Sequence, residues 1–133
     1  MSDRKNYTTK TKWEDLVGYS RAVKVGNQIF ISGTTSVDDA GNVIGKNDAY
    51  EQTKFILQKI AFVLRDLESS LNDVVRTRMF VTNISDWEKV GKAHGEFFGD
   101  IKPTATMIEV NKLINDDLLV EIEVDAITTP KKW

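Results

Sequence analysis

The stretch that decides the fold is residues 118–127, Leu118-Leu119-Val120-Glu121-Ile122-Glu123-Val124-Asp125-Ala126-Ile127. Its even positions are apolar, and three consecutive odd positions are acidic. This period of two predicts a strand with one dry face and one polar face. Same-face residues of a strand lie roughly 6.5–7 Å apart, so Glu121, Glu123 and Asp125 form a row of carboxylates. Such a row is unfavourable unless its face is wet or meets a cation, which makes it a candidate site.

Further strands are predicted on both sides of this stretch. Residues 104–110 form the nearest one, in which Thr106 shares a face with Ile108 while Ala105 and Met107 share the other. Residues 74–82 are also β-rich. Two short β-rich runs, residues 22–25 and 28–32, flank Gly26-Asn27 and predict a hairpin.

Two helices are predicted between these strands. Asp48 with Glu51 three residues on is typical of a capping box, and apolar residues then recur at helical spacing for about 20 residues. Ser85 with Glu88 predicts the start of the second helix in the same way. The second helix ends at Gly99.

The element order is ββ(β)-α-β-α-β-β, which is an α+β fold with a mixed sheet. Strand–helix–strand crossovers are right-handed, so both helices are expected on one face of the sheet. The other face has no helix to cover it. A bare and partly apolar sheet face usually has a partner, and the pattern therefore predicts a homo-oligomer.

Composition narrows the class of protein. The 133 residues fit a single domain, 1–133, in which residues 1–18 are expected to form an irregular arm. A net charge of −2 argues against nucleic-acid or membrane-surface binding. No cysteine and a single histidine exclude a thiol nucleophile and a thiolate or His-rich metal site. The N-terminal residues contain no apolar leader, so a cytoplasmic location is expected.

Individual polar residues have a functional and a structural interpretation. For Glu121, a site and a solvated strand face are equally consistent with the pattern. His94 lies on the apolar stripe of its helix, where a half-buried, hydrogen-bonded histidine is favoured over a catalytic one. Gly91 in the same stripe indicates tight packing or room for a ligand. Arg78 either faces solvent or reaches a carboxylate of the row or of a substrate.

The chain resembles the RidA, or YjgF-type, family of reactive intermediate deaminases. The resemblance covers nearly all of the chain past the first 18 residues. It is carried by Gly18-Tyr19-Ser20, residues 22–27, Ile31-Ser32-Gly33, residues 71–77, residues 80–82, residues 96–99, Lys102-Pro103, and the segment from Ile108-Glu109-Val110 through Val120-Glu121-Ile122-Glu123.

The resemblance implies a chorismate-mutase-like subunit that forms a homotrimer with ligand sites between neighbouring subunits. Members of the family hydrolyse enamines and imines such as 2-aminoacrylate to keto acids and ammonia, with no metal or organic cofactor. On the family pattern Tyr19 lines the cleft, Ser32 and Gly33 form part of its wall, and Glu121 orients the water.

One departure from the family pattern bears on the substrate. The deaminating members have an arginine where this chain has Ala105, and some have a cysteine at the position of Met107. A charged hydrogen bond contributes about 1.5–3 kcal/mol, so a simple amino-acid imine is expected to bind weakly. Thr106 lies between these two positions, and Arg78, Trp87 and His94 are candidate replacements for the lost polar group.

Three functions remain open at this point. The first is hydrolysis of an enamine or imine other than 2-aminoacrylate, favoured by Tyr19, Ser32, Gly33 and Glu121. The second is a trimeric ligand-binding or regulatory protein without catalysis, favoured by Ala105. The third is a ribonuclease, which the acidic balance and the single histidine disfavour.

Overall fold

A computed structural model describes residues 3–129 of the chain. They form one six-stranded mixed sheet and three helices, in the order β1 (Arg4–Tyr7), α1 (Lys12–Val17), β2 (Ala22–Val25), β3 (Gln28–Thr35), α2 (Ala49–Asp66), β4 (Val74–Val81), α3 (Trp87–Phe98), β5 (Thr104–Glu109) and β6 (Val120–Ile127). Short 3₁₀ turns at Leu71–Asp73 and Ile84–Asp86 precede β4 and α3. The α+β class and the mixed sheet are as predicted from the sequence.

The strand order across the sheet is β1-β2-β3-β6-β4-β5. The last strand of the chain, β6, therefore lies at the centre and pairs antiparallel with both β3 and β4. Strands β4 and β5 are parallel, which the crossover through α3 requires. The predicted hairpin around Gly26-Asn27 is confirmed by the antiparallel pairing of β2 with β3.

The alternation of apolar and acidic residues along β6 determines on which face of the sheet the core forms. Val120, Ile122, Val124 and Ala126 are almost completely buried. Helix α2 covers this face with a row of buried aliphatic side chains that includes Ile56, Leu57, Ile60 and Leu64, and α3 adds Val90, Ala93 and Phe98. The two longer helices thus share one face of the sheet, as predicted.

The starts of the two long helices differ from each other. Asp48 caps α2 as predicted, because its carboxylate accepts a hydrogen bond from the Glu51 amide at 3.0 Å. The predicted cap of α3 at Ser85 is wrong. The Asn83 side chain accepts from the Ser85 amide at 2.9 Å and opens the 3₁₀ turn, so that α3 begins only after Asp86.

The N-terminal arm is not irregular, and that prediction is corrected. It contains the edge strand β1 and the short helix α1, and Glu14 in α1 is buried. Hydroxyl groups of Thr8, Thr9 and Thr11 donate to its carboxylate. Burial raises the pKa of Glu14, but these hydrogen bonds outweigh it and hold the pKa below its ordinary value.

The sheet face opposite α2 and α3 carries the odd positions of β6. It also carries exposed apolar side chains at Val25, Phe30, Ile108 and Ile127, all between 40 and 46% exposed. We call this surface, with the odd positions of β6, the open face. Exposed apolar side chains on one sheet face are a feature of interfaces and binding sites.

Candidate functional site

A bulge in β3 brings the predicted cleft residues together on the open face. The register between β3 and β6 shifts between Ile31 and Thr34, so Ser32 and Gly33 lie in the irregular segment. Beyond the bulge, Thr35 is paired with Glu121. Bulges locally re-aim the chain, and this one puts the Gly33 backbone directly against the Glu121 side chain.

Gly33 is required by this close approach. A Cβ atom built on Gly33 would overlap Glu121 Oε2 and lie 3.0 Å from its Cδ. Any larger residue would therefore displace the carboxylate. The backbone angle of Gly33 is not the reason, because Gly33 does not adopt a positive φ. The sequence predicted a close approach to the backbone after this strand, and the group that approaches is the Glu121 carboxylate.

Glu121 is a half-buried carboxylate with a perturbed pKa. Burial raises the pKa of Glu121, the charge of Arg21 lowers it, and the charge of Glu123 raises it again, so that the net shift is upward. A carboxylate with a raised pKa is a better proton acceptor than an exposed one, because its conjugate acid is weaker. The environment therefore suits Glu121 to general-base chemistry.

Arg21 is a member of this cluster that sequence reasoning missed. It immediately precedes β2, and its Nη2 donates to the Gly33 carbonyl at 2.5 Å. Its guanidinium carbon lies 5.8 Å from the centre of the Tyr19 ring. Arg21 adjoins Tyr19-Ser20 in the chain, but nothing in the sequence pattern shows that the β3 bulge turns the Gly33 carbonyl towards it.

Ser32 is held by the same segment. Its hydroxyl donates to the Ser20 carbonyl at 2.7 Å, and its amide donates to the Arg21 carbonyl at 3.0 Å. These bonds fix the segment that carries Tyr19 and Arg21 against the bulge. The hydroxyl of Ser32 is therefore engaged as a donor, while its oxygen retains acceptor capacity.

Lys59 was also missed and lies near Arg21. Its Nζ donates to the carbonyls of Thr35 and Val37 at 2.8 and 2.9 Å, which ties α2 to the end of β3. Burial and the charge of Arg21 lower the pKa of Lys59 to about 8. Its two carbonyl partners indicate a structural role at the edge of the site.

Arg78 reaches the acidic row, as one of its interpretations predicted. Its Nη1 lies 3.1 Å from Glu123 Oε1 and 3.3 Å from Asp125 Oδ2. Two carboxylates therefore neutralise this cation on the open face. Glu121 is not part of this network, so the row divides into two ion-paired carboxylates and one carboxylate at the bulge.

Trp87 and His94 lie in α3, away from Glu121. His94 Nε2 is 2.9 Å from Thr77 Oγ1, and Thr77 is fully buried in β4 beneath α3. Burial lowers the pKa of His94, and the side chain is partly buried and hydrogen-bonded, as its structural interpretation predicts. Trp87 is the first residue of α3 and is 57% exposed. Gly91 faces open space, which corrects the inference of tight packing there.

The β5 residues are also separated from Glu121 within one chain. Ala105 is paired with Thr77 and Met107 with Met79, so both point to the helix side of the edge strand. Met107 packs against the core, and Ala105 is exposed. Thr106 is paired with Arg78 and lies on the open face. One chain thus brings together Tyr19, Ser32, Gly33 and Glu121 but none of the other predicted site residues, which lie elsewhere.

A cavity of about 550 Å³ adjoins this cluster on the side of the N-terminal arm. Tyr19, Ser20 and Ser32 line it together with Asn6 of β1 and Gly18 at the end of α1. Glu121 is not among its lining residues. Within residues 3–129, no group of three or more histidine, aspartate or glutamate side chains could hold a metal ion. No helix in that range is long and apolar enough to cross a membrane.

Comparisons with known proteins identify the class of protein to which this fold and site belong. The family model described as Endoribonuclease L-PSP matches residues 9–128. The crystal structure of Rv2704 from Mycobacterium tuberculosis, a member of the YjgF/YER057c/UK114 family, superposes with a TM-score of 0.85 at 42% identity, covering 94% of this chain and 99% of that one. These matches cover nearly the whole sheet and both long helices.

Two curated relatives agree with this. A RutC family protein of Pyrococcus abyssi is 38% identical over 108 residues, 81% of this chain and 84% of that protein. The 3-aminoacrylate deaminase RutC of Acinetobacter baylyi is 29% identical over 107 residues, 80% of this chain and 84% of that protein. The chain belongs to the YjgF/RutC family, the RidA family that its sequence resembles.

Proposed function

We propose that this protein hydrolyses an enamine or imine to a carbonyl compound and ammonia, with Glu121 as the general base. The observation that carries the proposal is the half-buried Glu121 carboxylate held against Gly33, with its pKa raised by burial. The deaminase name of the Acinetobacter baylyi relative supports the same reaction class. No metal or organic cofactor is part of the proposal.

The reaction requires few groups. Water adds to the carbon of the C=N bond while Glu121 accepts a proton from that water. The nitrogen takes up a proton, the C–N bond of the tetrahedral intermediate breaks, and ammonia leaves as the C=O bond forms. Glu121 can return its proton in the second step. Backbone groups of the Ser32-Gly33 bulge are the nearest candidates to steady the intermediate.

We further propose that the working unit is a homotrimer with clefts between subunits. The open face supports this, because Phe30, Ile108 and Ile127 are each more than 40% exposed and need a cover. Packing of open faces would let Thr106, which lies on the open face of the edge strand β5, approach Glu121 of the next subunit. The cytoplasmic location expected from the sequence is retained as part of this proposal.

The substrate is proposed to differ from 2-aminoacrylate. Ala105 offers no charge at the position where the deaminating members have arginine. Arg78 does not supply it within one chain, because Glu123 and Asp125 hold it. The same observation favours a second candidate, a trimeric ligand-binding or regulatory protein without turnover. RNA cleavage, which the family description names, is not proposed for a chain with a net charge of −2.

The test is keto-acid release from imines that an amino-acid oxidase forms in situ, with semicarbazide competing for the imine. Wild type is expected to exceed spontaneous hydrolysis, and Glu121→Gln to lose roughly 10²–10⁴-fold of that excess. Glu123→Gln is the matched control, since it makes the same chemical change two residues away on the same face.

Ala105→Arg separates the two candidate functions. If wild type is inactive and Ala105→Arg gains activity that Glu121→Gln removes, the cleft is competent and the natural ligand is not a simple amino-acid imine. If neither protein is active, ligand binding without turnover becomes the better account.

A further inference from the structure

Arg21 places a cation beside Gly33 and Glu121, and within residues 3–129 no carboxylate forms an ion pair with it. Among residues 3–129, no aspartate or glutamate oxygen lies within 4.0 Å of its guanidinium. Arg78, by contrast, is bonded to Glu123 and Asp125. A cation already paired with two carboxylates must give up those contacts before it can bind a third, whereas Arg21 has no such cost.

The hydrogen bonding of Arg21 is incomplete. An arginine carries five N–H donors, and among residues 3–129 this one has a single acceptor, the Gly33 carbonyl. Its Nε is buried with no hydrogen-bond partner in the described part of the chain. Buried donors without acceptors are rare in native proteins and call for an explanation. Because the Nε atom is shielded from solvent, a ligand would meet the remaining Nη donors, whose planar arrangement suits a carboxylate.

Arg21 and Glu121 flank the same piece of backbone. Arg21 bonds to the Gly33 carbonyl, and the Glu121 carboxylate lies against the Cα of Gly33. The Tyr19 ring, 5.8 Å from the guanidinium, adds an apolar wall on the other side. A small molecule beside Gly33 would thus meet a cation at one end and a general base at the other.

We propose that Arg21 is the carboxylate clamp of this chain: it binds the carboxylate of the imine while Glu121 directs water to the C=N carbon. The proposal rests on the hydrolytic function proposed above and adds to it the residue that holds the substrate. The carboxylate clamp of this chain then lies at the start of β2, beside Tyr19, rather than on β5 at Ala105. A substrate would enter in a different orientation from one held by an arginine on β5.

The test compares two imines on wild type, Arg21→Gln and Arg21→Lys. One imine bears a carboxylate and is formed from L-leucine by an amino-acid oxidase; the other is neutral and is formed from benzylamine by an amine oxidase. Loss of a charged hydrogen bond is expected to raise KM for the first by about 10- to 100-fold in Arg21→Gln. The neutral imine should be unaffected, and Arg21→Lys should be intermediate for the first.

The experiment is run at pH 9, where Glu121 is ionised with or without the charge of Arg21. Glutamine keeps a polar donor at this position without the charge. Free guanidinium chloride at millimolar concentration should partly restore the hydrolysis of the carboxylate-bearing imine by Arg21→Gln. If both imines lose activity equally, Arg21 only positions the bulge, and the proposal is overturned. Unchanged KM values for both would overturn it as well.

Pyruvate binding, followed by calorimetry, keeps the test independent of turnover. If wild type hydrolyses no imine but binds pyruvate at least 10-fold more tightly than Arg21→Gln does, the hydrolytic function fails while the carboxylate site stands. Methyl pyruvate, which lacks the charge, should bind both proteins equally. Equal binding of pyruvate by both proteins, or no binding by wild type, would remove Arg21 as a clamp.

Discussion

The two faces of the central strand β6 show how one sheet is divided between stability and chemistry. Its even positions, from Val120 to Ala126, are almost completely buried under α2 and α3. Its odd positions are the half-buried acids Glu121, Glu123 and Asp125 on the open face. The covered face is satisfied within one chain. The open face has a perturbed carboxylate, a neutralised arginine and exposed apolar side chains, which are features expected of a site or an interface.

The largest effect that should separate the faces comes from Gly33→Ala. The added methyl group would occupy the space of the Glu121 carboxylate. Since the obstructing atoms are the end of a flexible side chain, the protein should still fold while the carboxylate swings away. Misplacement of a catalytic group by about 1 Å can cost roughly 100-fold, so keto-acid release should fall by at least about that factor.

Gly91→Ala is the matched control for that variant, because a Cβ there meets open space on α3. It should leave activity unchanged and raise the free energy of unfolding by about 0.5–1 kcal/mol. Full activity in Gly33→Ala would show that the position of Glu121 beside the bulge does not matter to the reaction.

The next largest effect is a difference in stability between variants at two neighbouring positions of β6. Ile122 is fully buried, and Ile122→Ala should lower the free energy of unfolding by about 2–5 kcal/mol. Glu123 is half exposed and pairs with Arg78, and Glu123→Ala should cost only about 0.2–1 kcal/mol. Urea denaturation of both variants at one protein concentration measures the difference. Equal losses would mean that the open face is as important to folding as the covered one.

A smaller effect is expected on the free energy of unfolding when the pH is lowered, because of His94 on the covered side of the sheet. Burial lowers the pKa of His94 below its ordinary value of 6.5, so the unfolded chain takes up a proton at a higher pH than the folded one does. The free energy of unfolding should therefore be fully retained above about pH 6.5 and decline as the pH falls through the folded pKa. His94 is the single histidine of the chain, which makes the assignment direct.

Thr77→Val sharpens this prediction. It removes the hydroxyl group that bonds to His94 and should cost about 1 kcal/mol at pH 7 without changing imine hydrolysis. Denaturation curves between pH 5 and pH 8 measure both effects. A loss of activity in this variant would return His94 to the candidate site.

Much of the fold could be predicted because its signals are local. The alternation of β6, the capping box at Asp48 and the Gly26-Asn27 turn are each set by neighbours in the chain. The prediction for α3 failed because the Asn83 side chain accepts from the Ser85 amide, which the predicted capping box would have given to the Glu88 side chain. The structure of the N-terminal arm was not predicted because hydroxyl groups of the arm donate hydrogen bonds to the buried Glu14 carboxylate. The sequence pattern alone predicts that this acid is exposed.

The candidate site was only partly accessible from sequence. Glu121 lies against Gly33, and Tyr19 lies beside Arg21, which bonds to Gly33; the resemblance had named Glu121, Gly33 and Tyr19. Arg21 and Lys59 could not be found in this way, because their places depend on carbonyl groups that the β3 bulge and the end of β3 present. Side chains that bond to backbone carbonyls leave no pattern of residue types to recognise.

The most direct test of the account is to measure unfolding and activity on the same Glu121→Gln protein. The raised pKa of Glu121 means that the ionised carboxylate destabilises the folded chain above its ordinary value of 4.5. We predict that Glu121→Gln has a higher free energy of unfolding than wild type at pH 7, that this gain disappears below about pH 4.5, and that keto-acid release is lost. A variant that is no more stable than wild type at pH 7 and still hydrolyses imines would contradict the account.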